Sequence, residues 1–268
     1  MTQNEINKRV SKIIERFSAN VSNELIIIWN DLDIDLTKKE IYEVLTGLIA
    51  RQITLATHFM KCPNLWTGDL GPIILRSMID NYINFAWIIK EPLERSRKYI
   101  LYGLGQEKLI IEHRKNEIIS EGSDPKDDIL VKYSEAWMNS QRFSFFTEVN
   151  IGSWSGISVR EMAEQANCLD FYNYSYVPFS SVVHNMWNHI NRYNLKTSEN
   201  PLHKFLLIPK LPEIRIIIEF IEIAARYVDK MLQTYDENFP CKTKRKSSYA
   251  EFLKSYKSLM DKMTNESA

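Results

Sequence analysis

The chain has 268 residues and a mass of 31.5 kDa, which is the size of one large domain or two small ones. Hydrophobic residues make up 44% and charged residues 25% of it, as in an ordinary soluble globular protein. Lys and Arg number 34, and Asp and Glu also 34, so the formal net charge is zero. This balance argues against a protein built to coat nucleic acid, because such proteins carry a basic excess.

Helical spacing dominates the sequence, because apolar residues recur at steps of three and four in most segments and no segment alternates like a strand. The predicted helices cover the N-terminal segment to about Trp29, then 37–62, 72–90, 93–121, 125–146, 158–167, 178–193 and 212–235, and a last helix after 246. The predicted fold class is all-α, a single irregular bundle of about eight or nine helices. Residues 1–236 form the predicted bundle domain, and 247–268 an appended C-terminal helix.

Capping residues indicate where several helices begin. Thr37 followed by Glu40 has the spacing of a capping box, Pro72 suits a first helical position, and Ser158 suits an N-cap. The alternating acids of 31–35 lack the Gly and Glu that a calcium loop requires, so we expect them to favour the following helix N-terminus. The basic run 242–246 is predicted to be a solvated link.

Cellular location is predicted from what the sequence lacks. The N-terminal segment has no apolar core of a secretory signal, and the densest apolar stretch, 78–89, is interrupted by polar residues. The three cysteines lie far apart and form no CxxC pair, so neither a disulfide framework nor a zinc clip is indicated. We therefore predict a cytoplasmic protein with no membrane association, no metal and no cofactor.

The third predicted helix carries polar residues where its pattern requires apolar ones. Arg76, Asp80 and Asn84 lie at i, i+4 and i+8, so they share one face of an otherwise apolar helix. Charged groups are rarely buried without a partner. One interpretation is an internal ion pair that fixes helix packing. The other is a polar stripe that lines a pocket, in which Arg76 binds an anionic group.

Arg51 lies on or beside the apolar stripe of the second helix, with His58 seven residues later. This spacing fits the Arg-x(4–6)-His motif of HEPN ribonucleases, which cleave RNA without a metal across a dimer interface. The sequence departs from those enzymes in two ways, because Gln52 follows the Arg and the motif lies early in the chain. The alternative is that Arg51 pairs with a carboxylate of a neighbouring helix.

Ser180 and His184 lie one helical turn apart in a later segment. An unperturbed imidazole has a pKa of about 6.5, so a histidine such as His184 is a candidate acid or base at neutral pH. The alternative is a hydrogen-bonded core histidine. No GxSxG motif surrounds Ser180, so we do not expect it to be a nucleophile.

Two segments of the chain carry short motifs that occur together in one protein family. Residues 74–80, ILRSMID, resemble its Leu-Leu-Arg-Ser-x-x-Glu helix, with Asp80 in place of Glu. Residues 154–156, WSG, followed by Tyr172 or Tyr176 and then by Ser180-x-x-x-His184, resemble a later motif of the same family. It is a widespread bacterial family known only as domain of unknown function 5677. The similarity covers roughly residues 40–235. It implies that Arg51, Arg76, Asp80, Tyr176 and His184 converge on one site, and it supplies no activity.

Two functions are predicted from these residues. The first is a metal-independent hydrolase of RNA or another phosphodiester in a phage-defence or toxin setting, with His184, Arg76 and Asp80 catalytic. Substrate would then contact Arg51, Asn84, Tyr176 and Ser180. The second is a non-enzymatic binding module that holds a small anionic ligand or a protein partner in a pocket lined by Arg and Asp. The predicted partners are RNA, a small anionic ligand and a second copy of the chain. In a third interpretation, the polar groups only fix helix packing.

Overall fold

The computed structural model describes residues 3–141, 152–203, 205–239, 242–243 and 245–265. It confirms an all-α fold. The helices are α1 (Gln3–Asn30), α2 (Lys39–Met60), α3 (Gly71–Ile88), α4 (Pro92–Ser120), α5 (Ile129–Ser140), α6 (Val159–Gln165), α7 (Leu169–Phe171), α8 (Val177–Val183), α9 (Trp187–Tyr193), α10 (Glu219–Asn238) and α11 (Ser248–Asn265). A π-helical turn, Tyr172–Tyr176, joins α7 to α8. The predicted end of the fifth helix, Phe146, lies outside the described residues.

Helix α3 occupies the centre of the bundle. It packs against α2, α10, α8 and α6. Its apolar side chains point in nearly every direction, and Leu75, Met78, Ile79, Phe85 and Ile88 are fully buried. A helix that is apolar all round is stable only when neighbours cover every side. The central position of α3 therefore agrees with its apolar character.

Two short strands interrupt the helical pattern. β1 (Leu195–Thr197) pairs antiparallel with β2 (Leu207–Pro209), with Lys196 opposite Ile208. Residues 212–218, predicted to open a helix, are not helical. The backbone N–H of Ile217 donates to the carbonyl of Trp66 (2.7 Å), and this bond holds the segment against the loop after α2. Tertiary bonding here overrides the local helical pattern.

The predicted helix cap at Ser158 is present in the structure, but the one predicted at Thr37 is not. Ser158 and Glu161 form the reciprocal hydrogen bonds of a capping box at the start of α6. Before α2, Asp35 is the cap, and its carboxylate accepts from the backbone N–H (2.9 Å) and hydroxyl of Thr37. The predicted Thr37 capping box is wrong because Asp35 takes both donors. Glu40 is instead completely buried and pairs with Arg97 (3.6 Å).

The described residues of the 242–246 link are mostly exposed, as predicted, and some of them also contact acidic residues. Lys242 contacts Asp33 (2.7 Å), and Thr243 donates to Asp31 through its backbone N–H and hydroxyl. The link leads into α11, which packs on α1 and α10. Three apolar residues of α11 belong to the main core: Phe252, Tyr256 and Leu259. The division into 1–236 and 247–268 stays a prediction.

A buried ion pair anchors the start of α11. Arg245 and Glu24 have side chains only 5% and 8% exposed, and their charged atoms lie 3.3 Å apart. Arg245 also pairs with Asp236, and the backbone N–H of Ser248 donates to Glu24 (2.8 Å). Three helices therefore meet at one charge network. Among the described helices, none has a stretch long and apolar enough to span a bilayer.

We expect Glu24→Ala to lower the free energy of unfolding by about 3 kcal/mol, because it removes the buried carboxylate that pairs with the buried Arg245. Urea unfolding followed by circular dichroism measures the change. The matched control is Arg16→Ala, which removes the solvent-exposed pair with Glu251 and should cost less than about 1 kcal/mol. Equal losses in the two variants would contradict a structural role for the buried pair.

Candidate functional site

A buried arginine lies at the junction of α3 and α8. The Arg76 side chain is only 7% exposed. Its Nε donates to Ser180 Oγ (3.0 Å), and its guanidinium lies over the Tyr176 ring, with Cζ 3.0 Å from the ring centroid. A terminal nitrogen forms an ion pair with Asp80 one turn along α3. Stacking, hydrogen bonding and charge pairing together offset the cost of burying the cation.

The chain before α8 prepares this arrangement. The π-helical turn places Tyr172 and Tyr176 in a stack with ring centroids 4.5 Å apart, so the Tyr176 ring is supported from behind. The Ser180 hydroxyl donates to the Tyr176 carbonyl (2.8 Å) and accepts from Arg76. The hydroxyl proton of Ser180 is therefore used in a hydrogen bond to the backbone. This geometry makes Ser180 a support for Arg76, in agreement with the expectation that it is not a nucleophile.

Asp80 is the member of this network that reaches solvent. Its side chain is 42% exposed. Burial of the rest of the carboxyl raises the pKa of Asp80 above the ordinary 3.8, and the positive charge of Arg76 opposes that rise. The charge of a protonated His184 also lowers the pKa of Asp80. His184 therefore lies within electrostatic reach of Asp80.

His184 itself lies on the surface at the end of α8. Its backbone N–H donates to the Ser180 carbonyl (3.0 Å), and its side chain is exposed. Asn185 follows with a φ of 51°, which turns the chain sharply. The other histidine of this region, His189, is buried and contacts Asp69 (3.2 Å). His184 is thus the histidine that solvent and ligands can reach.

A cavity of about 670 Å³ lies between α2, α3, α4 and the end of α5. Four polar residues of α3 form one wall: Ser77, Asp80, Asn81 and Asn84. Arg51 lines the cavity from α2, and Tyr99 lines it from α4. The charge of Arg51 lowers the pKa of Tyr99, which burial raises, so these two side chains are close. The cavity combines apolar walls with a polar face.

The structure groups the predicted site residues in two sets joined at Asp80. Arg76, Tyr176 and Ser180 contact one another and reach Asp80 inside the bundle. A second set lines the cavity and consists of Arg51, Asp80 and Asn84. His184 and His58 are exposed and are not among the residues that line the cavity. The described residues contain no cluster of three His, Cys, Asp or Glu side chains arranged to hold a metal.

Sequence reasoning missed the amide pair that holds the polar wall. The Asn81 side-chain amide donates to the Leu48 carbonyl (2.9 Å) and to Gln52 (2.8 Å), and Gln52 donates to the Tyr227 carbonyl (3.3 Å). These bonds tie α2, α3 and α10 together beside the cavity. The available signal was the presence of two amides within otherwise apolar helix faces.

The Trp-Ser-Gly motif supports the opposite wall of the cavity. Trp154 packs edge-on against Tyr99, with centroids 5.0 Å apart, and against Trp87. Lys98 donates to the Ser155 carbonyl (2.9 Å), and Gly156 takes a φ of +79°, which favours glycine. The motif therefore positions Tyr99 and contributes no reactive group of its own to the cavity.

The fold and the site together define an all-helical protein with a buried Arg–Asp–Ser–Tyr network beside a cavity. A family model described as "Family of unknown function (DUF5677)" matches residues 42–201, which is more than half of the chain. The chain belongs to this family, and the matched range includes every predicted site residue. No curated protein and no solved structure matches the chain significantly.

We expect the Asp80 carboxyl to titrate above 3.8, because burial disfavours its charged form. A raised folded-state pKa means that ionised Asp80 lowers stability, and this penalty disappears as the pH falls through the folded pKa. Arg76→Met removes the charge that lowers the pKa, so it should move the titration still higher. The ¹³Cγ chemical shift of Asp80, followed against pH, measures the pKa of this carboxyl in the unmodified protein and in Arg76→Met.

Asp229 is the internal reference for that titration, since burial also raises its pKa without any contribution from Arg76. Its midpoint should not move in Arg76→Met. Titration of Asp80 at or below 3.8 in the unmodified protein would show the expectation to be wrong.

Two helix-interior glycines line the cavity, Gly47 in α2 and Gly103 in α4. An ideal Cβ at either position meets no atom within 4 Å. We therefore expect Gly47→Ala and Gly103→Ala each to raise the free energy of unfolding by about 0.5–1 kcal/mol, because alanine is the better helix former. The control is Gly71→Ala, where the Cβ would lie 2.5 Å from the Phe220 ring and should destabilise. Chemical denaturation measures the free energy of unfolding of each variant and shows whether it rises or falls.

Proposed function

We propose that this protein binds a small anionic ligand in the cavity between α2, α3, α4 and α5. The observation that carries the proposal is a space of about 670 Å³ that is lined by a polar wall and an arginine. Ligand cavities are typically roughly 300–1,000 Å³, mostly apolar, with a few convergent polar groups. The remaining lining consists of apolar side chains, two glycines, Gln141 and the Lys39–Glu43 ion pair, whose charges balance.

Arg51 is the proposed partner of the ligand anion. Its side chain is exposed and lines the cavity, and within the described part of the chain it makes no ion pair or hydrogen bond. Arg76 is a poorer choice, because stacking on Tyr176 and bonds to Ser180 and Asp80 already occupy it. Arg76 therefore acts as a positioning residue for Asp80. The planar guanidinium of Arg76 can stack on a ring and bond to Ser180 and Asp80 at the same time, which a lysine ammonium could not do.

Binding is tested by calorimetry with a fixed panel of probes: ribose 5-phosphate, adenosine 5′-monophosphate, citrate and the neutral compounds ribose and adenosine. We expect at least one anion to bind and Arg51→Gln to weaken it about tenfold to a hundredfold, because a charge-assisted hydrogen bond contributes about 1.5–3 kcal/mol. The affinities of the neutral probes, ribose and adenosine, should not change in Arg51→Gln.

The matched control is Arg9→Gln, which removes an exposed arginine of α1, a helix that does not line this cavity. Equal weakening by Arg9→Gln and Arg51→Gln would mean that the anion responds only to overall charge. That result, or the absence of binding across the whole panel, would overturn the proposal.

Hydrolysis of RNA is a second candidate function, and one observation favours it. His184 is exposed and within electrostatic reach of Asp80, so an acid–base group and a carboxylate lie near each other at the surface. Trp187, three residues later and 63% exposed, offers a face on which a single-stranded base can stack. A bacterial phage-defence or toxin setting, a cytoplasmic location and a homodimer stay predictions from the sequence.

RNA cleavage that persists in a chelator, and that His184→Ala abolishes without loss of folding, would support the hydrolase. His203→Ala is the control, because His203 is also exposed but lies in the 3₁₀ turn Pro201–His203. Unchanged cleavage in His184→Ala would remove this candidate and leave the binding function alone.

A further inference from the structure

Packing does not explain the two glycines that line the cavity. At Gly71 a Cβ would collide with Phe220, so glycine is required there. At Gly47 and Gly103 a Cβ would enter open space, and both positions lie well inside long helices where glycine is unfavourable. What the two residues share is the cavity. Their missing side chains leave the backbones of α2 and α4 bare on its inner surface.

Aromatic side chains line the same cavity. Tyr99 contributes from α4, held by the edge-on contact with Trp154, and Trp137 contributes from α5. Bare helix backbone and aromatic rings are surfaces against which a flat ring packs well, whereas a branched aliphatic group would leave gaps.

The polar wall offers hydrogen bonds suited to the edge of a heterocycle. One Asp80 oxygen pairs with Arg76, which leaves the other as an acceptor toward the half-exposed side. The Asn84 side chain lines the cavity and makes no hydrogen bond with any other described residue, so its amide presents both a donor and an acceptor. A carboxylate accepts from an exocyclic amino group, and an asparagine amide pairs with an amino group and a ring nitrogen together.

We propose that the ligand is a nucleoside monophosphate whose base carries an exocyclic amino group. The base lies against Gly47 and Gly103, its edge pairs with Asp80 and Asn84, and the phosphate meets Arg51. Gly47 and Gly103 are then the residues that determine specificity for a ring-bearing ligand. This inference rests on the proposed function, since it names the class of anion that the cavity takes.

Calorimetry with related probes tests the inference. Adenosine 5′-monophosphate should bind at least tenfold more tightly than ribose 5-phosphate, which lacks the base, and than adenosine, which lacks the phosphate. Inosine 5′-monophosphate, with an oxo group in place of the amino group, should bind several-fold more weakly than the adenosine nucleotide. Equal binding of adenosine 5′-monophosphate and ribose 5-phosphate would overturn the inference and leave the proposed anion site intact.

Substitution at the glycines tests the placement of the base. Gly47→Leu and Gly103→Leu should lower affinity for adenosine 5′-monophosphate at least tenfold while ribose 5-phosphate binds as before. Gly47→Ala and Gly103→Ala add a smaller side chain at the same positions, so they should lower the affinity for adenosine 5′-monophosphate less than the leucine variants do. Circular dichroism checks folding, and retained ribose 5-phosphate binding checks the anion site. Unchanged nucleotide affinity in both leucine variants would overturn the inference.

Discussion

The structure depends on how one positive charge is accommodated inside the bundle. Arg76 lies in α3, the helix that other helices cover on nearly every side. An uncompensated ion in that position would cost several kcal/mol. The required partners come from Asp80 in the same helix and from Tyr176 and Ser180, about a hundred residues later in the chain. The need to satisfy this arginine therefore links the position of α8 to that of α3.

The contacts that stabilise Arg76 also determine which polar groups are left to bind a ligand. Arg76 is buried, stacks on the Tyr176 ring and already contacts Ser180 and Asp80, so an external anion has little access to it. Asp80 is different, because one side of it belongs to the buried network and the other lines the cavity. Arg51 supplies a positive charge from the neighbouring helix. The buried network thus acts on the cavity through the orientation and pKa of a single carboxylate.

The part of the chain that matches the family does not bury its core alone. Helices α1, α10 and α11 lie outside residues 42–201. Helix α3 nevertheless packs on α10, and Gln52 donates to the Tyr227 carbonyl of that helix. The charge network of Glu24 and Arg245 then fixes α11 against α1. Elements outside the matched range therefore complete the core on which the site is built.

The sequence by itself determined the all-α class, the central place of α3 and the family. Each depends on local periodicity or short motifs, such as the predominantly apolar character of 72–90 and the ILRSMID segment. It also identified Arg76 and Asp80 as anomalies, since a charge on an apolar face is visible without coordinates.

Only the tertiary structure decided what those anomalies do. Whether Arg76 faces a ligand or is enclosed depends on where Tyr176 and Ser180 fold back on it, which no local pattern encodes. The sequence also did not reveal that Gly47 and Gly103 line the cavity. A glycine that leaves open space and a glycine that avoids a steric clash look the same in a sequence. The physical reason is the same in both cases. Burial, pairing and empty volume are properties of segments distant in the chain that meet in space.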